Sequence, residues 1–123
     1  MIVDANGNMI NSNSVLIVNY LSSVEEQAIL NYFQGAVYCW CNINKYIWFR
    51  DSSFVGGINV DWTGTPLFIL FDHYKSLGES NQDAYDHAAP DSGTLLKLFL
   101  HRDSRTYEIR KTASYNEYKF VKL

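Results

Sequence analysis

The chain has little of what several classes of protein require. Its 123 residues include only two cysteines, too few for a small domain held together by disulfide bonds. A helix that spans a bilayer needs about 20 consecutive apolar residues, and no apolar run in the chain approaches that length. Residues 1–8 also lack the basic and apolar regions of a signal peptide. Charged residues make up 19% and hydrophobic residues 47%, a composition typical of folded chains. We therefore expect a single cytosolic domain over residues 1–123.

Motifs with a defined chemistry are also missing. Gly56-Gly57 is followed neither by the Lys-Ser/Thr of a P-loop nor by dinucleotide-binding spacing, and no nucleophile elbow occurs. The histidines at positions 73, 87 and 101 are about fourteen residues apart, and only Asp83 and His87 have ligand spacing. Cys39 and Cys41 form no zinc motif, and we expect both to be buried, inert thiols. We predict no metal, no cofactor and no catalytic residue.

Acidic and basic side chains are unevenly distributed along the chain. Residues 1–100 contain ten acidic and four basic side chains, whereas residues 101–123 contain three acidic and six basic. The net charge of −3 disfavours a general nucleic-acid binder, which usually carries a basic face. The acidic charge is densest in one segment, which holds a single lysine, Lys75, and five carboxylates: Asp72, Glu79, Asp83, Asp86 and Asp91. This segment is either a solvated surface or a docking surface for a basic partner.

Turn signals and short apolar runs predict the elements of the first half of the chain. Asn6-Gly7 predicts a small terminal hairpin. The apolar run Val15–Leu21 fits either a strand or the start of one long helix that begins near Ser14. Residues 22 and 23 are serines that precede two glutamates at the spacing of a capping box, which indicates that a helix starts there.

A glycine and an aromatic segment follow this helix. Gly35 is placed to end it. The segment Ala36–Phe49 is rich in aromatic and β-branched residues, and we predict a β-hairpin there. Its large cross-strand residues are Tyr38, Trp40, Tyr46 and Trp48.

The second half of the chain begins with a loop and a well-marked helix. Arg50–Val60 is predicted to be a loop. Thr65 and Pro66 have the residue types of a helix N-cap and first helical position, and the helix is expected to end near Leu77. Its spacing of apolar residues predicts a buried face of Leu67, Leu70, Phe71 and Tyr74.

Two further helices and two strands are predicted after it. Ser80–Ala89 resembles a short polar helix, Pro90 is expected to break the pattern, and Gly93–His101 is predicted to be a buried helix. Strands are expected near Thr106–Arg110 and Glu117–Val121. These elements predict an α+β fold in which three to four helices form a single layer on a hairpin-built antiparallel sheet.

Two segments carry a resemblance to a known class of proteins. The first runs from Arg50 through Asp-Trp-Thr-Gly-Thr-Pro to the helix ending at Leu77, and the second is the alanine- and glycine-containing stretch Ala84–Leu96. Together they resemble small bacterial immunity proteins that are encoded beside contact-dependent-inhibition or Rhs-type toxins. The resemblance implies a protein that binds and blocks a cognate toxin domain, expected to be a nuclease with a basic surface.

Such a protein needs a complementary surface and no chemistry of its own. The acidic segment supplies the candidate partner-binding residues, with Tyr85 as an amphipathic anchor: Glu79, Asp83, Tyr85, Asp86 and Asp91. We expect no direct contact with nucleic acid or membrane, and the oligomeric state stays open. Two alternatives also stay open: a small-ligand binding or accessory domain with an aromatic pocket, and a small enzyme that depends on a histidine or a cysteine.

Overall fold

The protein is an α+β fold in which helices pack against one small sheet. The computed structural model describes residues 1–11, 16–56 and 60–123. The described part of the chain contains four helices and three strands, which confirms the predicted fold class. In chain order they are β1 (Ile2–Val3), α1 (Ser23–Ile43), α2 (Ser52–Val55), α3 (Phe68–Ser76), α4 (Asn81–Arg102), β2 (Thr106–Lys111) and β3 (Asn116–Lys122).

The sheet combines the predicted hairpin with a parallel neighbour. β2 and β3 form the predicted antiparallel hairpin, and the structure places Tyr107 opposite Phe120. β1 pairs parallel with β2, with Ile2 beside Tyr107, so the sheet is mixed rather than wholly antiparallel. Parallel neighbours need a long connection, and the whole helical part of the chain lies between these two strands. The terminal turn is present too, since Val3 bridges Met9.

The first long helix starts where the sequence indicates and ends much later. Ser22 caps α1, and its side chain and that of Glu25 form the predicted capping box. The helix passes through Gly35 and continues to Ile43, so the predicted stop and the hairpin over Ala36–Phe49 are wrong. One buried stripe with a spacing of four residues crosses the glycine: Ile29, Phe33, Val37 and Cys41. Packing of this stripe overrides the β-propensity of the aromatic residues.

The described part of the apolar run before α1 forms neither the predicted strand nor the start of a long helix. Residues 16–21 lie outside every helix and strand, and Val15 and Ser14 lie outside the described residues. Ser22 has the extended backbone of an N-cap, with φ −70° and ψ 163°, so α1 cannot run back into this segment. Val18 is buried, whereas Leu16 and Ile17 are exposed.

The predicted loop after α1 contains a short helix in its described part. α2 spans four residues and ends at Gly56, whose φ of +80° favours glycine. Residues 57–59 of this predicted loop lie outside the described residues.

The helix predicted after Thr65-Pro66 is present but begins later. α3 starts at Phe68, and the Thr65 hydroxyl donates to the Trp62 carbonyl instead of capping the helix. The predicted core residues Leu67, Leu70 and Phe71 are buried, and Tyr74 is half-buried. The chain leaves the helix at Leu77, followed by a glycine with φ +90°.

The fourth helix is continuous where two helices are predicted. α4 includes Pro90, so the expected break is wrong. Proline removes one backbone hydrogen bond and costs about 3 kcal/mol inside a helix. Burial on both sides of it offsets this loss: Ala84, Ala88, Ser92, Leu95, Leu96 and Phe99. None of the described helices is long and apolar enough to cross a membrane.

Candidate functional site

Three of the predicted partner-binding carboxylates lie together at the start of α4. Ser80 caps this helix by accepting the backbone N–H of Asp83, and Asp83 and Asp86 follow three residues apart on exposed positions. Glu79 lies just before the cap. Residues three and four apart share one side of a helix. We call Glu79, Asp83 and Asp86 the acidic face.

A histidine lies on the same side of the helix as the acidic face and changes the net charge of that face. His87 contacts the Glu79 carboxylate at 2.7 Å, and its side chain is 58% exposed. Its hydrogen bond to Glu79 raises the pKa of His87 above the ordinary value, with smaller contributions from Asp83 and Asp86. The protonated imidazole therefore offsets part of the negative charge at lower pH.

Asp91 belongs to a different environment from the acidic face. Its Oδ2 atom accepts hydrogen bonds from the hydroxyls of Tyr20 at 2.7 Å and Tyr74 at 2.6 Å. Tyr20 also stacks on His73, with ring centroids 3.6 Å apart. Burial, and then the contacts with Asp91, raise the pKa of Tyr20. Asp91 thus ties the segment before α1 to α3 and α4.

Tyr85 packs within the protein and leaves part of its ring exposed. Its ring stacks on Phe71 with centroids 4.2 Å apart and meets Trp62 edge-on at 5.3 Å. Its hydroxyl accepts the backbone N–H of Trp62 at 3.2 Å. The half-buried residue also lines a cleft beside the acidic face. Tyr85 is therefore held in place by the core before any partner binds.

This cleft runs along one side of α4 and has a volume of about 750 Å³. α4 contributes a stripe from Gln82 to Lys97 with spacings of three and four residues, which extends over about 22 Å of helix axis. The opposite side comes from α2 and its flanks and from β3. Trp62, Tyr85, Pro90, Leu96 and Tyr118 are among the apolar and aromatic residues that line it. Small-molecule sites have volumes and linings of this kind.

A carboxylate that sequence analysis missed lies in the wall of the cleft. Asp51 is at the N-cap position of α2 but makes no capping hydrogen bond, and its Oδ1 instead accepts the Ser92 hydroxyl at 3.1 Å. Burial raises the pKa of Asp51 to about 7, and the Ser92 hydrogen bond opposes this shift. The sequence Asp-Ser-Ser resembles an ordinary helix start, so only the fold reveals this environment.

Two cationic side chains also line the cleft. The Arg50 guanidinium lies 4.1 Å from the centroid of the Tyr115 ring, a cation–π contact. Lys97 is half-buried, and burial followed by the nearby Lys111 lowers its pKa. The described part of the cleft lining contains no histidine and no cysteine.

The two cysteines differ in their environment, contrary to the expectation that both are buried. Cys41 is buried in the core, and burial raises the pKa of its thiol to about 11, whereas Cys39 is exposed. Residues two apart on a helix point to different sides, while on the predicted strand they would share one. Among the described residues, no three His, Cys, Asp or Glu side chains lie close enough to hold a metal ion.

The order of α3, α4 and the β2–β3 hairpin bears on nucleic-acid binding. Helix–turn–helix domains join two helices by a short turn, and the second helix enters the DNA major groove with its N-terminal residues. Here those positions carry Asp83 and Asp86, with Glu79 beside them. Their negative charge repels phosphates, which disfavours DNA contact through α4.

Comparison of the chain with known proteins gives no matching family model, no matching curated protein and no matching solved structure.

Proposed function

We propose that the protein is an immunity-type binding protein that blocks a cognate bacterial toxin domain, expected to be a nuclease, and that it acts in the cytosol without a cofactor. The observation that supports this proposal is the acidic face, where Asp83 and Asp86 are exposed on a long, well-packed helix and Glu79 adjoins them. A surface of fixed carboxylates complements the basic cleft of a nuclease.

The value of such a face lies in recognition more than in stability. Opposite charge on two surfaces speeds their encounter and rejects partners of the wrong sign. Tyr85 adds an aromatic contact at the edge of this face, and residues of this type carry much of the energy of protein interfaces. Because Tyr85 is already fixed by Phe71 and Trp62, its ordering on binding costs little conformational entropy.

The proposal predicts that a gene beside that of this protein encodes a toxin domain, and it is tested by co-expressing the two. We expect wild-type protein to protect growth and the D83N/D86N variant to protect less and to bind the purified toxin domain more weakly. The matched control is Q27K/N31K, which makes the same change of net charge on the exposed side of α1. Equal protection by the acidic-face variant, or an equal loss in the control, would count against this interface.

The cleft favours a second candidate function, the binding of a small ligand. Its volume of about 750 Å³ and its aromatic lining are typical of ligand sites. This function does not exclude the first, because the described lining of the cleft includes Asp86 of the acidic face but neither Glu79 nor Asp83.

A further inference from the structure

The most unusual charge near the cleft is the carboxylate of Asp51. It is partly buried, and the Ser92 hydroxyl is its hydrogen-bond donor at 3.1 Å. No Lys, Arg or His nitrogen of the described residues lies within 4.0 Å of it. A buried carboxylate without a cation is costly, and proteins usually pair it or let it take up a proton. Above its pKa of about 7, Asp51 therefore gives the cleft a negative charge that is not paired with a cationic side chain of the described residues.

We propose that the cleft binds a small organic cation, a protonated amine or a guanidinium ion on an apolar stem, with the Asp51 carboxylate as its counter-ion. This inference rests on the second candidate function, that the cleft holds a small ligand. A cation that enters the cleft supplies the missing partner and makes a charge-assisted hydrogen bond in partly desolvated surroundings. Asp86 adds a second carboxylate to the same lining.

The cationic side chains of the cleft do not reverse this preference. Arg50 is exposed and its guanidinium already contacts the Tyr115 ring, and neither Arg50 nor Lys97 forms an ion pair with Asp51. Asp51 has a short side chain fixed by Ser92, so its charge cannot leave the wall. An ionised Asp51 therefore presents its negative charge at one place in the cleft wall.

The residues that line the cleft also indicate which kind of stem the cationic group is attached to. Trp62 and Tyr118 are buried aromatic residues of the lining, and Tyr85 adds a half-buried ring. Flat apolar groups pack well against such rings. We expect an aromatic or aliphatic stem of a few carbon atoms rather than a strongly polar one.

Three probes of matched size test the proposal: 2-phenylethylamine as the cation, 2-phenylethanol as the neutral analogue and 3-phenylpropanoate as the anion. Each is titrated into the isotopically labelled full chain, and binding is followed by NMR shifts of the backbone amides that line the cleft. We expect the cation to bind most tightly. In D51N the cation is expected to bind at least about tenfold more weakly, the size of one lost charge-assisted contact, while the neutral probe is unchanged.

The control variant is D72N, which removes an exposed carboxylate of α3 outside the cleft. Binding of all three probes to D72N should equal binding to the wild type. Equal affinity of the cation and the neutral probe, tighter binding of the anion, or an unchanged affinity in D51N would overturn the cation proposal and leave a small-ligand cleft. Absence of any shift with all three probes would overturn both.

A second measurement needs no variant. The other ionisable side chains in the described lining are Arg50, Asp86, Lys97 and the tyrosines Tyr85, Tyr115 and Tyr118. No histidine of the described residues is among them. Because Asp51 ionises near neutral pH, the affinity of wild-type protein for 2-phenylethylamine should rise from about pH 6 to about pH 8. A flat profile would count against Asp51 as the counter-ion even if D51N failed to fold.

Discussion

At the scale of single residues, aspartates of similar sequence context have quite different roles. Asp83 and Asp86 are exposed on α4, whereas Asp91 accepts hydrogen bonds from two tyrosines and Asp51 lies partly buried in the wall of the cleft. The environment rather than the residue type decides which carboxylate is available to a partner. Of the five residues predicted to bind a partner, Asp91 accepts hydrogen bonds from two tyrosines and Tyr85 packs on Phe71 and Trp62, so the fold itself uses both.

The stability of the protein should reflect the burial of Asp51. Its pKa is raised from 3.8 to about 7 in the folded state. As pH rises between these values, the unfolded chain loses this proton before the folded chain does, so the free energy of unfolding falls. D51N lacks this titration. We expect the free energy of unfolding of D51N to be close to that of the wild type at about pH 4. At about pH 8 it should exceed the wild-type value by up to about 4 kcal/mol.

Urea unfolding of both proteins at the two pH values measures this difference. D72N, in which the carboxylate removed is exposed, serves as the control and should follow the wild type at both pH values. A D51N variant that is no more stable than the wild type at the higher pH would mean that the Asp51 carboxylate is well solvated.

At the scale of elements, the two longest helices, α1 and α4, are the ones that the sequence analysis wrongly predicts to be interrupted. Gly35 and the aromatic run after it favour a stop and a hairpin, and Pro90 favours a break. In each case a stripe of buried side chains continues through the unfavourable residue. Local preferences amount to about 1 to 3 kcal/mol, and the burial of several large side chains outweighs them.

The two cysteines distinguish a helix from a strand over residues 36–43. In α1 Cys39 is exposed and Cys41 is buried, and burial raises the pKa of the Cys41 thiol to about 11. A thiol reagent applied to native protein should therefore label Cys39 rapidly and Cys41 only on unfolding. Mass spectrometry of the labelled C39S and C41S variants assigns each site. Rapid labelling of both thiols, or of neither, would contradict the helical assignment.

At the scale of the whole molecule, the charge asymmetry of the sequence corresponds to separate surfaces. The acidic face lies at the start of α4, whereas Arg110, Lys119 and Lys122 lie on the β2–β3 hairpin. Some of this basic charge is already occupied, because Arg110 pairs with Glu117 at 2.8 Å and both Arg110 and Lys119 contact the Trp48 ring. In the acidic face Glu79 is likewise paired, with His87 at 2.7 Å, while Asp83 and Asp86 are exposed.

Association with a basic toxin domain should then depend on salt. Raising the ionic strength from about 0.01 M to about 0.15 M shortens the Debye length from about 30 Å to about 8 Å and screens long-range attraction. We expect the association rate of the wild type to fall by about tenfold or more, with a much smaller change in dissociation. Stopped-flow kinetics at the two salt concentrations measure both rates. An association rate that does not respond to salt would place the interface away from the acidic face.

The sequence by itself determined the α+β class, the capping box at Ser22, the end of α3 at Leu77 and the C-terminal hairpin. Each of these depends on neighbouring residues, such as a cap, a turn glycine or an alternating strand, so local chemistry is sufficient to predict it. It also placed the exposed carboxylates Asp83 and Asp86 near one another, because they share a helical segment.

Only the tertiary structure decided the rest. The continuity of α1 and α4, the parallel pairing of β1 and the burial of Asp51 all depend on residues far apart in the chain. Asp51 and Ser92 are separated by 41 positions, and the cleft between them forms only when α2, α4 and β3 have packed together. Burial is a property of that packing, and it changes both the pKa of a carboxylate and the balance of local preferences.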